Sequence, residues 1–510
     1  MAAHRKHWLL LSLAVVLVLI ASIPLLHYHR QKAVMDYIAA IPGDLKAEGV
    51  EAGLFGNNVI VHRLSGTVQF FEQAPFTISI ERLSIEGLNK DALESAGVVT
   101  IADRVSMRNF QFDSEGSSPA YLGYASISMR SYDVRDIRMN WKSLQRAGKD
   151  GPGSPFFSDF LTSILFGRTL ILESRVQTAG IPQIGKYSQE NSIMTIKRME
   201  AESFSLLHHG KTINEDIAIH YENGIALTAK KVDFDSYDRP DSSLTLQLSG
   251  SAKNLDVVDS MKILEEGYSL RGLIGKEIRI SSADGEQADI PILEFDADIG
   301  NGKLLLKLQT EEVYVSGGMA EKLLSGIGSG MQPFTDRSLR FFAFFALGTE
   351  RTDDGNIRIV YEQELSEDRL GRMDCNFELI GKALSGPRQV LPVDTSTIAF
   401  VKGGLTLEDK TFLRRLFESS VFPSEKPEDN GTGVKKREVL VRDIRRDAET
   451  LPASLKDAVV KFADFLEKSG RYRLRVQADS PVGLMGIFGN ETIPEQLVFH
   501  ADHDAEESVR

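Results

Sequence analysis

This sequence is poor in cysteine and tryptophan and has no excess of positive charge. It contains one cysteine, Cys375, and two tryptophans in 510 residues. A single cysteine excludes an intrachain disulfide, a zinc site built on several thiolates and a Cys-x-x-Cys redox pair. There are 59 lysine and arginine residues against 72 aspartate and glutamate residues, and the two signs alternate along the chain. Because nucleic acid binding requires a basic face, we expect no nucleic acid partner.

A complete catalytic or cofactor motif is also absent. Segment 180–187 has the glycine and lysine spacing of a phosphate-binding loop, but Tyr187 stands where Ser or Thr must bind Mg²⁺. Segment 296–307 begins like a calcium loop, but Lys307 replaces the required glutamate. Neither G-x-S-x-G nor H-E-x-x-H occurs. We therefore predict a protein that is not an enzyme and has no catalytic, cofactor-binding or metal-binding residues.

The histidines do not form a convincing metal site. His208 and His209 are adjacent, so on a strand they would point to opposite faces. The segment from His500 to Asp504 has the composition of a metal site, but it lies in a polar end that we predict to be solvated. No metal is therefore expected at either place.

The N-terminus carries an uncharged run of 19 residues, from Trp8 to Leu26, which follows Arg5 and Lys6. About 20 apolar residues are needed to cross a bilayer. A cleaved signal peptide is the alternative, but its apolar region should be only about 7 to 15 residues long and should end at small residues. We predict a retained single-pass anchor, with a short cytoplasmic stub and the bulk of the chain outside the cytoplasm.

A short β-type phrase recurs five times between Ile78 and Tyr237. Each copy has an alternating apolar run, a mostly basic or small polar reference position, and a second alternating run. The copies are ISIERLSIEGL, TIADRVSMRNF, ISMRSYDVRDI, MTIKRMEAESF and LTAKKVDFDSY, with reference positions Arg82, Arg104, Ser131, Arg198 and Lys231. The alternation changes phase near the reference position, which predicts a bulge or bend there. The repetition predicts a sheet that grows by adding strands.

The basic reference positions have two interpretations. Arg82, Arg104, Arg198 and Lys231 could form a ladder that binds an anionic head group. Charged residues on strands usually pair with charged neighbours on a solvated face, here residues such as Asp103 or Glu81. We prefer this structural interpretation.

Two apolar segments are candidates for contact with a ligand. One is a helical stripe that begins at Phe156, and the other is the apolar run from Leu339 to Leu347. The candidate groove or helix contacts are Phe156, Phe160, Leu161, Ile164, Phe342 and Phe344. The preferred interpretation of the first segment is a helix covering the sheet, with a helix that contacts membrane or lipid as the alternative. The second is predicted to be a fully buried strand, with a groove-lining strand as the alternative.

The sequence predicts a mainly β fold with helical insertions, in which a transmembrane helix precedes an elongated, curved, repetitive antiparallel sheet or groove. The predicted parts are the stub and anchor (1–30), a repetitive β-rich body (31–250) with a helical insertion near 140–167, a second β-rich portion with short helices (251–395), a C-terminal strand-helix-strand portion (396–500) with a polar linker (421–433), and a disordered tail (501–510).

Several segments together resemble one known group of proteins. These are the N-terminal anchor, GVEAGLFGNNVIVHRLSGTV from Gly49 to Val68, the repeated phrase, and the C-terminal segments TLEDKTFLRRLF and LPASLKDAVVKFADFLEKSGRYRLRV. In this combination the chain resembles the AsmA-like and YdgA-like bacterial envelope proteins. The resemblance implies one inner-membrane helix followed by a β-rich periplasmic body. For the larger AsmA-like members it implies a curved groove with an apolar interior that carries lipid, and it implies no catalytic residues.

The expected function follows from the anchor, the repeats and this resemblance. We expect a non-enzymatic protein, anchored in the bacterial inner membrane with its bulk in the periplasm, that supports envelope or lipid homeostasis by holding acyl chains in an apolar groove. Its expected partners are the membrane, lipid and other envelope proteins. A structural module that docks an envelope partner through strand edges is the alternative. A hydrolase whose site is not visible in the sequence is a second alternative.

Overall fold

Antiparallel strands make up most of the chain in the computed structural model, and helices are few, which confirms the mainly β fold class. The structure describes residues 43–52, 58–68, 76–87, 89, 95, 97–114, 124–140, 143, 163–178, 192–205, 207–238, 268–300, 303–320, 338–383, 393–418, 433–484 and 496–505. The predicted anchor lies outside the described residues. The chain divides into two compact units, Met1–Ile263 with Ser269–Gly275, and Leu264–Tyr268 with Lys276–Arg510.

The described strands of the first unit pair with one another in an antiparallel arrangement. They are β1 (Gly43–Ala52), β2 (Val59–Val68), β3 (Phe76–Glu86), β4 (Val99–Ser114), β5 (Tyr124–Met139), β6 (Leu165–Phe166), β7 (Thr169–Thr178), β8 (Ser192–Ala201), β9 (Phe204–Ser205), β10 (His208–His209), β11 (Thr212–Tyr221), β12 (Ala226–Phe234), β13 (Ser236–Asp238) and β14 (Tyr268–Ser281), the last shared with the second unit. The long strands pair in the order β1-β2-β3-β4-β5-β7-β8-β11-β12.

The second unit is a second antiparallel series that carries the described helices. Its elements are β15 (Gln287–Gly300), β16 (Lys303–Thr310), β17 (Val313–Val315), β18 (Leu339–Arg351), β19 (Ile357–Glu367), β20 (Gly371–Ala383), β21 (Val393–Asp409), α1 (Phe412–Glu418), α2 (Gly433–Ala448), α3 (Ala453–Lys468), β22 (Gly470–Gly483) and β23 (Leu497–Asp504). Its long strands pair in the order β15-β16-β18-β19-β20-β21-β22-β23.

A row of bends crosses the sheet of the first unit. In each neighbouring pair of strands the ladder skips one residue on each side, as between Ala47↔Leu64 and Gly49↔His62. We call this the bend row; its members are Glu48, Arg63, Glu81, Asn109, Arg130, Glu173, Lys197, Asp216 and Lys230. Every second strand has its bend-row residue at a left-handed φ of 48° to 52°: Arg63, Asn109, Glu173 and Asp216. The bend predicted from the phase change is therefore present.

The bend keeps apolar residues on one side of the sheet although the alternation changes phase. In β3 Ile80 and Leu83 are 0% and 1% exposed, and both belong to one core cluster with Ile78 and Ile85. Two residues separate Ile80 from Leu83 instead of one, so a regular strand would turn one of them to solvent. The bend corrects this, and the core of the first unit is sealed from β2 to β8.

Opposite charges alternate along the exposed side of the bend row. Arg63 lies 2.8 Å from Glu48 and Arg130 lies 2.6 Å from Glu173. Asp216 is bound by Lys230 at 2.7 Å and by Lys197 at 3.1 Å, and these two hydrogen bonds lower the pKa of its carboxyl group. Cross-strand pairs of this kind contribute roughly 0.2–1 kcal/mol each, so the row reinforces the register of the strands.

The left-handed backbone at Glu173 makes a testable prediction. Valine is favoured at an ordinary exposed strand position, but a φ of 50° is unfavourable for a β-branched residue. We expect Glu173→Val to lower the free energy of unfolding by about 2 kcal/mol, and Glu173→Gly to change it by less than about 1 kcal/mol. Arg175→Val, at an exposed position of the same strand, is the control. If urea unfolding shows equal losses of unfolding free energy for valine at 173 and at 175, the left-handed backbone at Glu173 is not strained by a β-branched residue.

Three features of the second unit differ from the sequence prediction. Ala501–Asp504, expected in a disordered tail, form the end of β23 and pair with Arg471–Leu474. The predicted division between 395 and 396 falls inside β21. The segment from Leu339 to Leu347, expected to be fully buried, is a strand whose apolar side chains are only partly buried. The partial burial of this strand leads to the candidate site.

Candidate functional site

One side of the β15–β20 sheet is apolar. Residues that lie opposite each other in register share a face, and four neighbouring rows of such residues make up this side. We call their members the apolar face. The two central rows are Ala297, Leu306, Leu347, Tyr361 and Phe377; and Phe295, Leu308, Phe345, Gln363 and Cys375. The two flanking rows are Leu293, Thr310, Ala343, Leu365 and Met373; and Ile299, Leu304, Thr349, Ile359 and Leu379. Leu405 in β21 continues the row of Cys375.

Most members of the apolar face are partly exposed, whereas the core of the first unit is closed. The buried members of the apolar face are Leu304, Thr310 and Thr349. Leu347, Phe345 and Phe377 are all partly exposed, and Leu365 is 39% exposed. In the first unit, by contrast, Val105 and its neighbours are fully buried. Exposed apolar patches of several hundred Å² mark interaction sites in soluble domains. The partial exposure of these side chains therefore makes the apolar face the candidate functional site.

Three aromatic rings form the centre of the apolar face. The rings of Tyr361 and Phe377 are stacked, with centroids 4.5 Å apart and planes 13° apart. Phe345 meets Tyr361 edge-on at 5.4 Å. Next to Phe377 in β21 lies Gly403, where an added Cβ would be 3.2 Å from the ring of Phe400. These contacts fix the rings without removing them from solvent.

The other side of the same strands is charged. Glu378 accepts hydrogen bonds from Arg358 at 2.8 Å and lies 3.3 Å from Lys402, and Arg372 donates to Asp374 at 2.9 Å. Arg358 is the largest cause of the lowered pKa of the Glu378 carboxyl group. The sheet is thus amphipathic, with a hydrated charged side and an apolar side that lacks ion pairs among the described residues.

Among the described residues, the helices pack on the last strands of this sheet. Phe465 and Leu466 of α3 are buried in a cluster that includes Tyr472 and Ala501, against which Leu407 and Phe499 pack. The Tyr472 hydroxyl donates to the carbonyl of Ala458 at 3.1 Å, and burial raises the pKa of Tyr472 to about 12. In α1, Leu413 and Phe417 are buried, whereas Phe412 is 41% exposed. The described helices therefore pack on β22 and β23, while most apolar side chains of β18–β20 stay partly exposed.

The dimensions of the apolar face suit hydrocarbon chains. Ala343 to Thr349 spans about 20 Å at roughly 3.4 Å per residue, and the five strands β15, β16, β18, β19 and β20 span about 20 Å at roughly 4.8 Å per interval. One leaflet of a bilayer core is about 15 Å thick, half of roughly 30 Å. Acyl chains of ordinary length therefore fit across it.

The structure separates the residues that were predicted as candidate contacts. Ile164 is 0% exposed and belongs to the core of the first unit. Phe342 and Phe344 lie on β18, but in register with Ser366 and Glu364, on the charged side of the sheet. Their neighbours Phe345 and Leu347 occupy the apolar face instead. Phe156, Phe160 and Leu161, like the anchor residues Trp8 and Leu26, lie outside the described residues.

The reference positions of the repeat mostly share one row. Arg82, Ser131, Arg198 and Lys231 are in register across β3, β5, β8 and β12, and the bend row lies beside them. Arg104 is in another row, opposite Glu86 and Arg135. The repeating unit is therefore a pair of strands.

Several of the basic reference residues make the ion pairs expected of a solvated face. Arg104 donates to Asp133 at 2.7 Å, Arg198 donates to Glu200 at 2.6 Å, and Lys231 pairs with Asp233. The predicted partner Asp103 is not used by Arg104. These pairs support a structural role for the basic positions.

The two adjacent histidines do point to opposite sides of their strand. His208 Nδ1 lies 2.5 Å from Asp238 Oδ1. The other carboxylate oxygen of Asp238 accepts a hydrogen bond from the Ser269 hydroxyl at 3.0 Å. His209 packs against the rings of Phe204 and Tyr237, with centroids 4.4 Å and 5.3 Å away. Within the described ranges, no group of three or more potential metal ligands is present.

A cavity of about 260 Å³ borders His208 and resembles part of a hydrolase site. The histidine is oriented by Asp238, as a general base would be. Ser205, which also lines the cavity, donates to the carbonyl of His208 and accepts the amides of Leu207 and His208. In the described part of the chain no serine hydroxyl bonds to the His208 ring, so His208 activates none of the described serines.

Comparison with known proteins adds no identity. No family model matches the sequence, and no curated protein matches it. Among the described residues, no helix is both long enough and apolar enough to cross a bilayer.

Proposed function

We propose that this protein holds lipid acyl chains against the apolar face and thereby supports envelope or lipid homeostasis. In this proposal it is not an enzyme, and the segment from Trp8 to Leu26 anchors it in the bacterial inner membrane with its bulk in the periplasm. The observation that carries the proposal is the partial exposure of an apolar surface that crosses five neighbouring strands. The anchor rests on the length and composition of the N-terminal run.

The energetics favour hydrocarbon as the occupant. The face measures on the order of 400 Å² from the strand dimensions. Covering it would contribute up to about 10 kcal/mol at roughly 25 cal/mol per Å², before the costs of association. Because this side of the sheet lacks ion pairs among the described residues, a charged partner surface would lose water there without gaining a partner. Acyl chains carry no charge, so they lose no charge hydration on binding.

Native lipid content is the first test. We expect phospholipid or fatty acid to remain bound when the full chain is purified from membranes in mild detergent, and native mass spectrometry should resolve the loaded species. A chain that carries no lipid, and that takes up none from vesicles of phosphatidylethanolamine and phosphatidylglycerol, would refute the proposal.

Alkylation of the only cysteine can test where the lipid binds. Cys375 is partly exposed on the apolar face, directly opposite Gln363, and burial raises the pKa of its thiol. We expect bound lipid to slow its alkylation by N-ethylmaleimide at least about tenfold, because the acyl chains exclude the reagent and disfavour the thiolate. The matched control moves the thiol to the charged side by combining Cys375→Ser with Thr406→Cys. Equal protection in both proteins would show that lipid does not occupy the apolar face.

A further inference from the structure

A single amide side chain lies within the apolar face. Gln363 is opposite Phe345 on one side and Cys375 on the other, and Leu405 continues the row. Its Oε1 accepts a hydrogen bond from the Tyr361 hydroxyl at 2.5 Å. This bond leaves the two hydrogens of the Gln363 amide nitrogen as donors. No acceptor among the described residues bonds to them.

The position of this amide restricts what can cover it. On the partly exposed sheet, water can bond to the amide hydrogens. A hydrocarbon chain laid across Gln363 would expel that water and leave both donors unpaired in an apolar surrounding, which is unfavourable. A ligand that places a carbonyl oxygen there would restore a hydrogen bond. The remainder of the row, Phe345 and Leu405, would still contact hydrocarbon.

We infer that Gln363 is a specificity-determining residue that selects amphiphiles with a carbonyl group at the head of the acyl chain, such as acyl esters, over chains that lack one. This inference rests on the proposed function. The ester carbonyl accepts from the Gln363 amide nitrogen, and the acyl chain extends over the neighbouring apolar residues. Tyr361 is a positioning residue, because its hydroxyl holds Oε1 and thereby turns the amide nitrogen toward the ligand.

The neighbouring contacts support this assignment. The Tyr361 ring is held by its stack with Phe377 at 4.5 Å, so its hydroxyl has a fixed position. Thr310, another polar residue of the face, is already engaged: it accepts the Ala343 amide at 3.0 Å and donates to the Ala343 carbonyl. Gln363 therefore differs from Thr310, because no bond to a described residue engages its amide donors.

The test compares two amphiphiles that differ only in the carbonyl. The full chain is titrated by calorimetry with palmitoyl-lysophosphatidylcholine and with its hexadecyl ether analogue, below their micelle concentrations. We expect the ester to bind about tenfold more tightly, the typical effect of leaving a buried donor unpaired. Gln363→Leu should abolish this preference, mainly by improving the binding of the ether. Tyr361→Phe should weaken the preference without abolishing it, since the ring stack remains.

Glu364→Gln is the matched control, because residue 364 is adjacent but lies on the charged side of the sheet. It should leave both affinities unchanged. Equal binding of ester and ether by the wild-type chain, or a preference that survives Gln363→Leu, would overturn the inference and leave the proposed function standing. Failure to bind either amphiphile would instead overturn the proposed function, and the inference with it.

Discussion

Replacing Leu83 by alanine should lower the free energy of unfolding of the first unit by about 3 kcal/mol, whereas Leu347→Ala in the second unit should cost roughly half as much or less. Leu83 is 1% exposed in a sealed core, so its truncation leaves a cavity as well as losing transfer free energy. Leu347 is partly exposed on the apolar face, so water fills the space and part of the side chain was never desolvated. The same chemical change therefore distinguishes a packed core from an open face.

The measurement must treat the two units separately, because a chain of two units need not unfold in one step. Urea unfolding followed by circular dichroism gives the overall change. Peptide-resolved hydrogen exchange over β3 and β18 then assigns it to each unit. Similar losses at the two leucines would mean that the β18 face is an ordinary core, and the proposed function would lose its structural basis.

The bend could be predicted from the sequence, but its exact geometry could not. The phase change beside Arg82 indicated a bend, and the ladder is interrupted at the preceding residue. The strained residues lie on the neighbouring strands, at Arg63 and Glu173 among others. Neither residue type signals a left-handed backbone, since glycine and asparagine are the usual choices. Arg104 was assigned to the wrong row because β4 changes phase twice, and a sequence pattern does not show which change pairs with which.

The candidate site was only half predictable, for a related reason. The apolar run from Leu339 to Leu347 identified the right strand, but its residues are apolar on both faces. Only the register, in which Phe345 lies opposite Gln363 and Phe344 opposite Glu364, shows which phenylalanine is on which side. The strand alternation of β23 was also hard to recognise in the sequence. Phe499, Ala501 and His503 share one side of that strand, but the His and Asp residues between them read as a polar tail.

Two adjacent phenylalanines offer the sharpest test of which side binds lipid. Phe345→Asp should reduce lipid loading more than about 100-fold, because acyl chains cannot cover a carboxylate without a desolvation cost of several kcal/mol. Phe344→Asp introduces the same charge one residue earlier, on the side that already carries Glu364 and Asp374, and should change loading less than about twofold. Both positions are partly exposed in the unloaded protein, so either carboxylate can keep contact with water and both variants should fold.

Lipid loading of the two variants is measured by native mass spectrometry after equal exposure to phospholipid vesicles, with circular dichroism as the check on folding. Phe344 and Phe345 are neighbours on β18 but lie on opposite faces of the sheet. A general effect of added negative charge would therefore reduce loading in both variants. Loss in Phe344→Asp alone would place the lipid on the charged side of the sheet. Loss in Phe345→Asp alone, together with the protection of Cys375, would locate the acyl chains on the apolar face at the level of a single strand.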